Sequence, residues 1–98
     1  MKSFKVAREA SADLDEIFEY WARRASVGVA ERLVDAIIHR FWILGRFPEA
    51  GRACDYIEPG VKGFPAGKYL IYHRRDRRGI RIIRILHGAR DQKSAFRE

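Results

Sequence analysis

Cysteine is almost missing from this chain. Cys54 is the only one, so no internal disulfide can form and a thiol-based metal site has no second ligand. Its plain role is that of a packing or surface thiol. Long apolar runs are also missing: none exceeds four residues, as at Phe41-Trp42-Ile43-Leu44. That is too short for a membrane span or a signal-peptide core, so a cytoplasmic protein is expected. There is no glycine-rich phosphate loop, and the three histidines fit no ligand spacing with carboxylates or thiols. Neither a metal nor a cofactor is expected. Acid is scarce where base is plentiful: residues 62–98 hold three Asp or Glu against eleven Lys or Arg, while residues 1–61 hold ten against nine. The net charge of +7 is therefore carried by the C-terminal third, which points to an acidic partner or nucleic acid. Arginine outnumbers lysine fifteen to five, suiting planar, two-point contacts to carboxylate or phosphate.

What is present is enough for one small core. A chain of 98 residues with 47% apolar residues and 34% charged ones reads as a single folded, water-soluble domain over 1–98. The strongest signal is Gly79 to Asp91, a β-branched strand stopped by Gly88 after His87. With a strand period of two, Arg81, Ile83, Ile85 and His87 share one face and Ile80, Ile82, Arg84 and Leu86 the other. Both faces are mostly apolar and both need cover. One layer of helices covers only one of them, which leaves the other as a candidate groove for a partner.

In chain order, Phe4 to Ala7 reads as a short first strand. Ser11 is a possible N-cap, and Leu14, Ile17, Phe18 and Trp21 recur at helical spacing up to Arg23 and Arg24. The acids Asp13, Asp15, Glu16 and Glu19 are read as a solvated face of that helix. Ser26 to Gly28 form a break, and a second helix runs from about Val29 to Leu44, ended by Gly45 and Pro48. So short a break makes an antiparallel helical hairpin. Pro48 to Pro59 reads as a loop. Strands at Val61–Phe64, Lys68–Arg74 and the Gly79–His87 stretch then form an antiparallel meander, with turns at Pro65-Ala66-Gly67 and Arg75–Arg78. Gln92–Glu98 can add a short helical turn. The fold class is α+β, two-layered, in the order βααβββ, with the hairpin packed on a small, mainly antiparallel sheet.

Catalytic constellations are thin. Ser94, His87 and Asp91 lie close in sequence, but His87 is better read as a strand-end residue hydrogen-bonded to the turn, and His39 as a surface or half-buried residue. The remaining chemistry is a basic, aromatic surface. Arg74, Arg81, Arg84 and Arg90, with Phe64, Tyr69 and Tyr72, can bind phosphate and stack bases, or bind the acidic tail of a protein inhibitor.

Four segments in order and spacing carry a family resemblance: Ala12-Asp13-Leu14-Asp15-Glu16-Ile17 with Tyr20; Pro48-Glu49-Ala50-Gly51-Arg52; Phe64 through Tyr72; and Ile85-Leu86-His87-Gly88-Ala89-Arg90-Asp91. Together they resemble the ParE branch of the ParE/RelE superfamily of bacterial toxin–antitoxin toxins. The resemblance implies a toxin that poisons DNA gyrase by stabilising its cleaved-DNA state and is not itself an enzyme. It also implies neutralisation by a ParD-like antitoxin whose C-terminal segment wraps the toxin, in a heterotetramer or larger complex. The RelE branch implies the alternative, ribosome-dependent cleavage of messenger RNA. Where RelE-like ribonucleases place a tyrosine six residues beyond an arginine of the final turn, this chain has Arg90 and then Phe96, whose ring has no hydroxyl for proton transfer. A third reading is a fold relative that only binds antitoxin.

The expected partner surface, for antitoxin or target, comprises Phe64, Leu70, Tyr72, Arg74, Arg81, Ile82, Arg84, Leu86, Arg90 and Phe96. Leu70, Tyr72, Arg74, Ile82, Arg84 and Leu86 are expected to share the face that holds the antitoxin. Arg90 and Asp91 are expected to pair with each other or with nearby groups to fix the turn.

Overall fold

A computed structural model describes residues 4–98. The elements are β1 (Phe4–Val6), α1 (Arg8–Arg24), α2 (Val27–Arg46), β2 (Arg52–Ala53), β3 (Lys62–Ala66), β4 (Tyr69–Asp76), β5 (Gly79–His87) and α3 (Gln92–Arg97). The strands form one sheet in the order β1-β5-β4-β3-β2. β1 runs parallel to β5, and every other pairing is antiparallel. This is the expected α+β arrangement with one addition: β2 lies inside the stretch read as a loop. It is two residues long, too short to show periodicity.

The helix ends differ from expectation for local reasons. α1 begins at Arg8 rather than near Ser11, with Ala7 at the N-cap position making no side-chain cap bond. The Ala7 amide still bonds the Ile82 carbonyl at 2.8 Å, so the helix starts directly off the sheet edge. Ser26 caps α2, its Oγ accepting from the Val29 N–H at 3.1 Å, and the break between the helices is only Ala25 and Ser26. At the other end, β3 continues through Pro65 to Ala66, and the hairpin turns at Gly67, whose φ of 62° suits glycine. β4 runs on to Asp76, leaving Arg77 and Arg78 as the turn.

The hairpin covers one face of the sheet. Ile17, Ile37, Phe41 and Leu44 pack there against Ile71, Ile80, Ile82 and Ile85, and each such side chain contributes about 1.5–3 kcal/mol on full burial. Trp21 reaches across this interface, its indole N–H donating to the Tyr69 hydroxyl at 2.9 Å.

A β-bulge overturns the expected division of β5 into two faces. Tyr72 pairs with Arg84 but His73 pairs with Ile82, leaving Ile83 as an extra residue. One inserted residue reverses the alternation beyond it. Ile80, Ile82 and Ile85 therefore all face the helices, while Ile83 and Leu86 belong to the opposite side. Ile82 is thus not on the face of Leu70, Tyr72 and Leu86, contrary to the reading from strict period two.

Candidate functional site

The face away from the hairpin is not an open groove. The segment from Cys54 to Val61 folds over it, α3 lies against it, and Cys54, Ile57, Val61, Tyr72, Leu86 and Ala95 make a second small core. Tyr72 anchors this layer: its hydroxyl donates to Gln92 Oε1 at 2.7 Å, and Phe96 meets its ring edge-on with centroids 5.6 Å apart. Burial raises the Tyr72 phenol to a pKa of about 12.

The Pro48-Glu49-Ala50-Gly51-Arg52 segment is strapped to the sheet by polar contacts. His73, fully buried, bonds the Ala50 carbonyl through Nε2 at 3.1 Å. Only an N–H can serve a carbonyl, so the ring is the Nε2–H tautomer. Its Nδ1 is buried without a hydrogen-bond partner among the described residues, and desolvation lowers the pKa. Gly51 has φ of 98°, and a Cβ there would lie 2.7 Å from the Gly63 carbonyl oxygen, so this position needs glycine. Arg75 pairs with Glu49 at 2.7 Å and, with Lys62 nearby, holds that carboxyl below its ordinary pKa. Arg74 donates to Glu58 at 3.0 Å and to the Pro59 carbonyl at 3.1 Å. A hollow of about 370 Å³ remains between Glu49, Val61, Lys62 and the side chains of His73 to Arg75.

Arg84 is held inside the protein. Its Nε and Nη2 donate to the two oxygens of Asp13 at 2.8 and 2.9 Å, and Nη1 donates to the carbonyls of Ala95 and Phe96 at 2.7 and 3.0 Å. The Ile85 N–H also donates to Asp13, at 2.9 Å. β1 stops at Val6, so the rest of that edge of β5 needs another acceptor, and the carboxylate supplies it. Bonding to Asp13 holds the guanidinium still more firmly protonated. Asp13, read from sequence as part of a solvated acidic face, is instead a buried partner in the only ion pair among the described residues with both side chains below 10% exposure.

The ten residues expected to form a partner surface separate into groups. Ile82 and Leu86 are buried apolar residues on opposite faces, and Tyr72 and Arg84 are buried in the contacts just described. None of these four offers an exposed side chain in the free protein, and they do not make one continuous face. Phe64 is half-buried against the helix-side core and Leu70 is half-buried against the second one. Phe96 is half-buried on Tyr72, Arg90 pairs with Glu98, and Arg74 with Glu58. Arg81 is exposed.

Asp91 caps α3, accepting from the Ser94 N–H, and the His87 Nδ1 accepts from the Ala89 N–H at 3.0 Å. With that nitrogen serving the turn, Ser94, His87 and Asp91 are not assembled as a relay. Residues 87–91 are thus fixed as a turn, as expected.

Other features were missed from sequence. Tyr56 is 62% exposed beside a hollow of about 340 Å³ that Pro65 and Leu70 also line. Trp42, inside the apolar run Phe41 to Leu44, is 58% exposed and packs edge-on against Phe4. Lys5 lies opposite Arg81, a pairing only the parallel β1–β5 contact creates. Among the described residues no group of three or more His, Cys, Asp or Glu is placed to hold a metal ion, and no helix is long and apolar enough to cross a membrane.

Comparison with known proteins agrees with this architecture. The family profile described as "ParE toxin of type II toxin-antitoxin system, parDE" matches residues 4–92. The chain is 34% identical over 89 residues to Toxin ParE1 of Mycobacterium tuberculosis, covering 90% of this chain and 91% of that one. It is 31% identical over 81 residues to Toxin ParE3 of Caulobacter vibrioides, covering 83% and 81%. A solved structure titled "Chromosomal ParDE TA system from P. aeruginosa" superposes with a TM-score of 0.79 at 27% identity, covering 89% of this chain and 96% of that one. With the profile spanning all five strands, the hairpin and the first residue of α3, the chain belongs to the ParE toxin family of type II toxin–antitoxin systems.

Proposed function

We propose that this protein acts by binding rather than by catalysis: that it stabilises the cleaved-DNA complex of DNA gyrase and is kept inactive by a ParD-like antitoxin. The carrying observation is family membership across 4–92, a match to the toxin component itself. The chemistry of the interior supports a non-enzymatic mode. Arg84 directs its donors to Asp13 and α3, His73 is sealed beneath the Ala50 segment, and Phe96 has no hydroxyl. Arg84, His73 and Phe96 are therefore not placed to move a proton for RNA cleavage.

The antitoxin is assigned to the apolar hollow beside Tyr56, Pro65 and Leu70. An exposed aromatic ring and a half-buried leucine there make the kind of anchor a protein partner covers. The test of the toxin reading is gyrase with supercoiled plasmid, ATP and the purified chain freed of antitoxin. Linear plasmid should accumulate after detergent and protease treatment; its absence with gyrase from the source organism would defeat the proposal.

A further inference from the structure

Three adjacent strands place a cation at the same level of the sheet. Lys5 of β1 pairs with Arg81 of β5, and Arg81 pairs with Arg74 of β4. Paired residues point to the same side, and since Ile80 and Ile82 face the helices, all three cations lie on the opposite face. Neighbouring strands are about 4.8 Å apart, so the row spans about 10 Å.

Folding does not account for this arrangement. Like charges directly opposite one another destabilise a ladder. Among the described residues neither Lys5 nor Arg81 has an ion-pair or side-chain hydrogen-bond partner, nor does Arg77 on the adjoining turn; of the row only Arg74 is engaged, by Glu58 and the Pro59 carbonyl. The acid nearest in sequence to Arg74 and Arg81, Asp76, is exposed at the adjoining turn and its Oδ1 is engaged there, accepting from the N–H groups of Arg78 and Gly79 at 2.9 and 3.0 Å. The segment over residues 54–61 and helix α3 cover the apolar part of this face and leave Arg81 and Lys5 exposed.

We propose that the row Lys5–Arg81–Arg74 binds the phosphate backbone of duplex DNA. Sequence-independent phosphate contacts need cations in reach of the backbone and no apolar anchor, which is what the row supplies. A protein partner would need a buried apolar centre, and the row contains no apolar side chain. A single strand would be held by aromatic stacking, and the row contains no ring.

The test is fluorescence anisotropy of a short mixed-sequence duplex with the purified chain, over a series of salt concentrations. K5Q/R81Q should weaken binding roughly tenfold and lower the log–log salt slope by about 2. R32Q/R46Q removes the same charge from exposed positions of α2 and should leave both unchanged. The single variants K5Q and R81Q, each lowering the slope by about 1, carry the test if the double variant does not fold. The proposal is overturned if the unaltered chain shows no duplex binding at low salt, or if both double variants weaken it equally. It is overturned too if single-stranded RNA or an oligoglutamate peptide binds more tightly through the same residues. Duplex binding is read without gyrase, so its absence leaves the gyrase reading standing, and a chain inert toward gyrase could still bind DNA through this row.

Discussion

Arg84 and Asp13, 71 positions apart, are joined by two hydrogen bonds of 2.8 and 2.9 Å in the protein interior. The contact ties the first helix to the central strand, and through the carbonyls of Ala95 and Phe96 it ties both to the last helix. A buried pair of this kind is sensitive to the loss of one partner, because the remaining charge is left unpaired in a dry site.

Asp13→Ala should therefore destabilise the fold by about 3–5 kcal/mol. The double variant D13L/R84M should lose much less than the sum of the losses in D13L and R84M, because it removes both charges together. Urea denaturation of the four proteins measures the coupling; additive losses would show that the pair contributes nothing as a pair.

Acid should loosen the Ala50 segment through His73. Its pKa is lowered in the folded protein, so below the ordinary value of about 6.5 the unfolded chain takes up a proton that the native ring does not. Stability is then fully present above about pH 6.5 and falls as pH drops from there toward the lowered folded value. His73→Gln keeps an N–H for Ala50 without titrating, and its melting temperature should vary less between about pH 7 and 5. Parallel curves for the two proteins would exclude this role.

Gly51→Ala introduces a Cβ 2.7 Å from the Gly63 carbonyl at a backbone φ of 98°. Loss of about 1–3 kcal/mol is expected from strain alone, measured as a lowered denaturation midpoint. By contrast Gly67→Ala, at φ of 62° with no atom near the added methyl, should cost less, because only the backbone is strained.

Tyr72→Phe removes the hydroxyl that donates to Gln92 and leaves the ring contact with Phe96. A loss of about 0.5–1.5 kcal/mol is expected. It should be accompanied by faster amide exchange in α3, and unchanged exchange there would mean that the helix does not depend on this bond.

Leu70→Glu tests the assigned antitoxin surface. Leu70 is only half-buried, so the variant should fold, yet a carboxylate in the hollow beside Tyr56 should weaken the complex by at least about tenfold. Calorimetric titration with the antitoxin decides it; unchanged affinity would move the interface elsewhere, with exposed Trp42 the next position to vary.

Much of this architecture is legible along the chain because it rests on short-range periodicity and breakers. Leu14, Ile17 and Trp21 mark one helix face, Ser26 marks the junction, and Ile80 to His87 mark a strand. The family resemblance is legible for a related reason: Pro48 to Arg52 and Phe64 to Tyr72 are local strings. Gly51 and Gly67 stand in them at positive φ, where a side chain would be strained.

The roles of side chains that meet across the fold were not legible. One extra residue at Ile83 reverses the alternation of β5, moving Ile82 away from Leu86. Asp13 carries the same acidic pattern as its exposed neighbours Asp15 and Glu16, and only the early end of β1 gives it a buried amide and a guanidinium to bind. Lys5 and Arg81 become neighbours only through a parallel pairing between chain segments 76 residues apart. The sequence by itself determined the helices, the longer strands, their order and the concentration of positive charge, since these depend on nearest neighbours and composition. The tertiary structure decided which charges are buried, which are paired and which stand free, because burial and pairing depend on contacts between residues far apart along the chain.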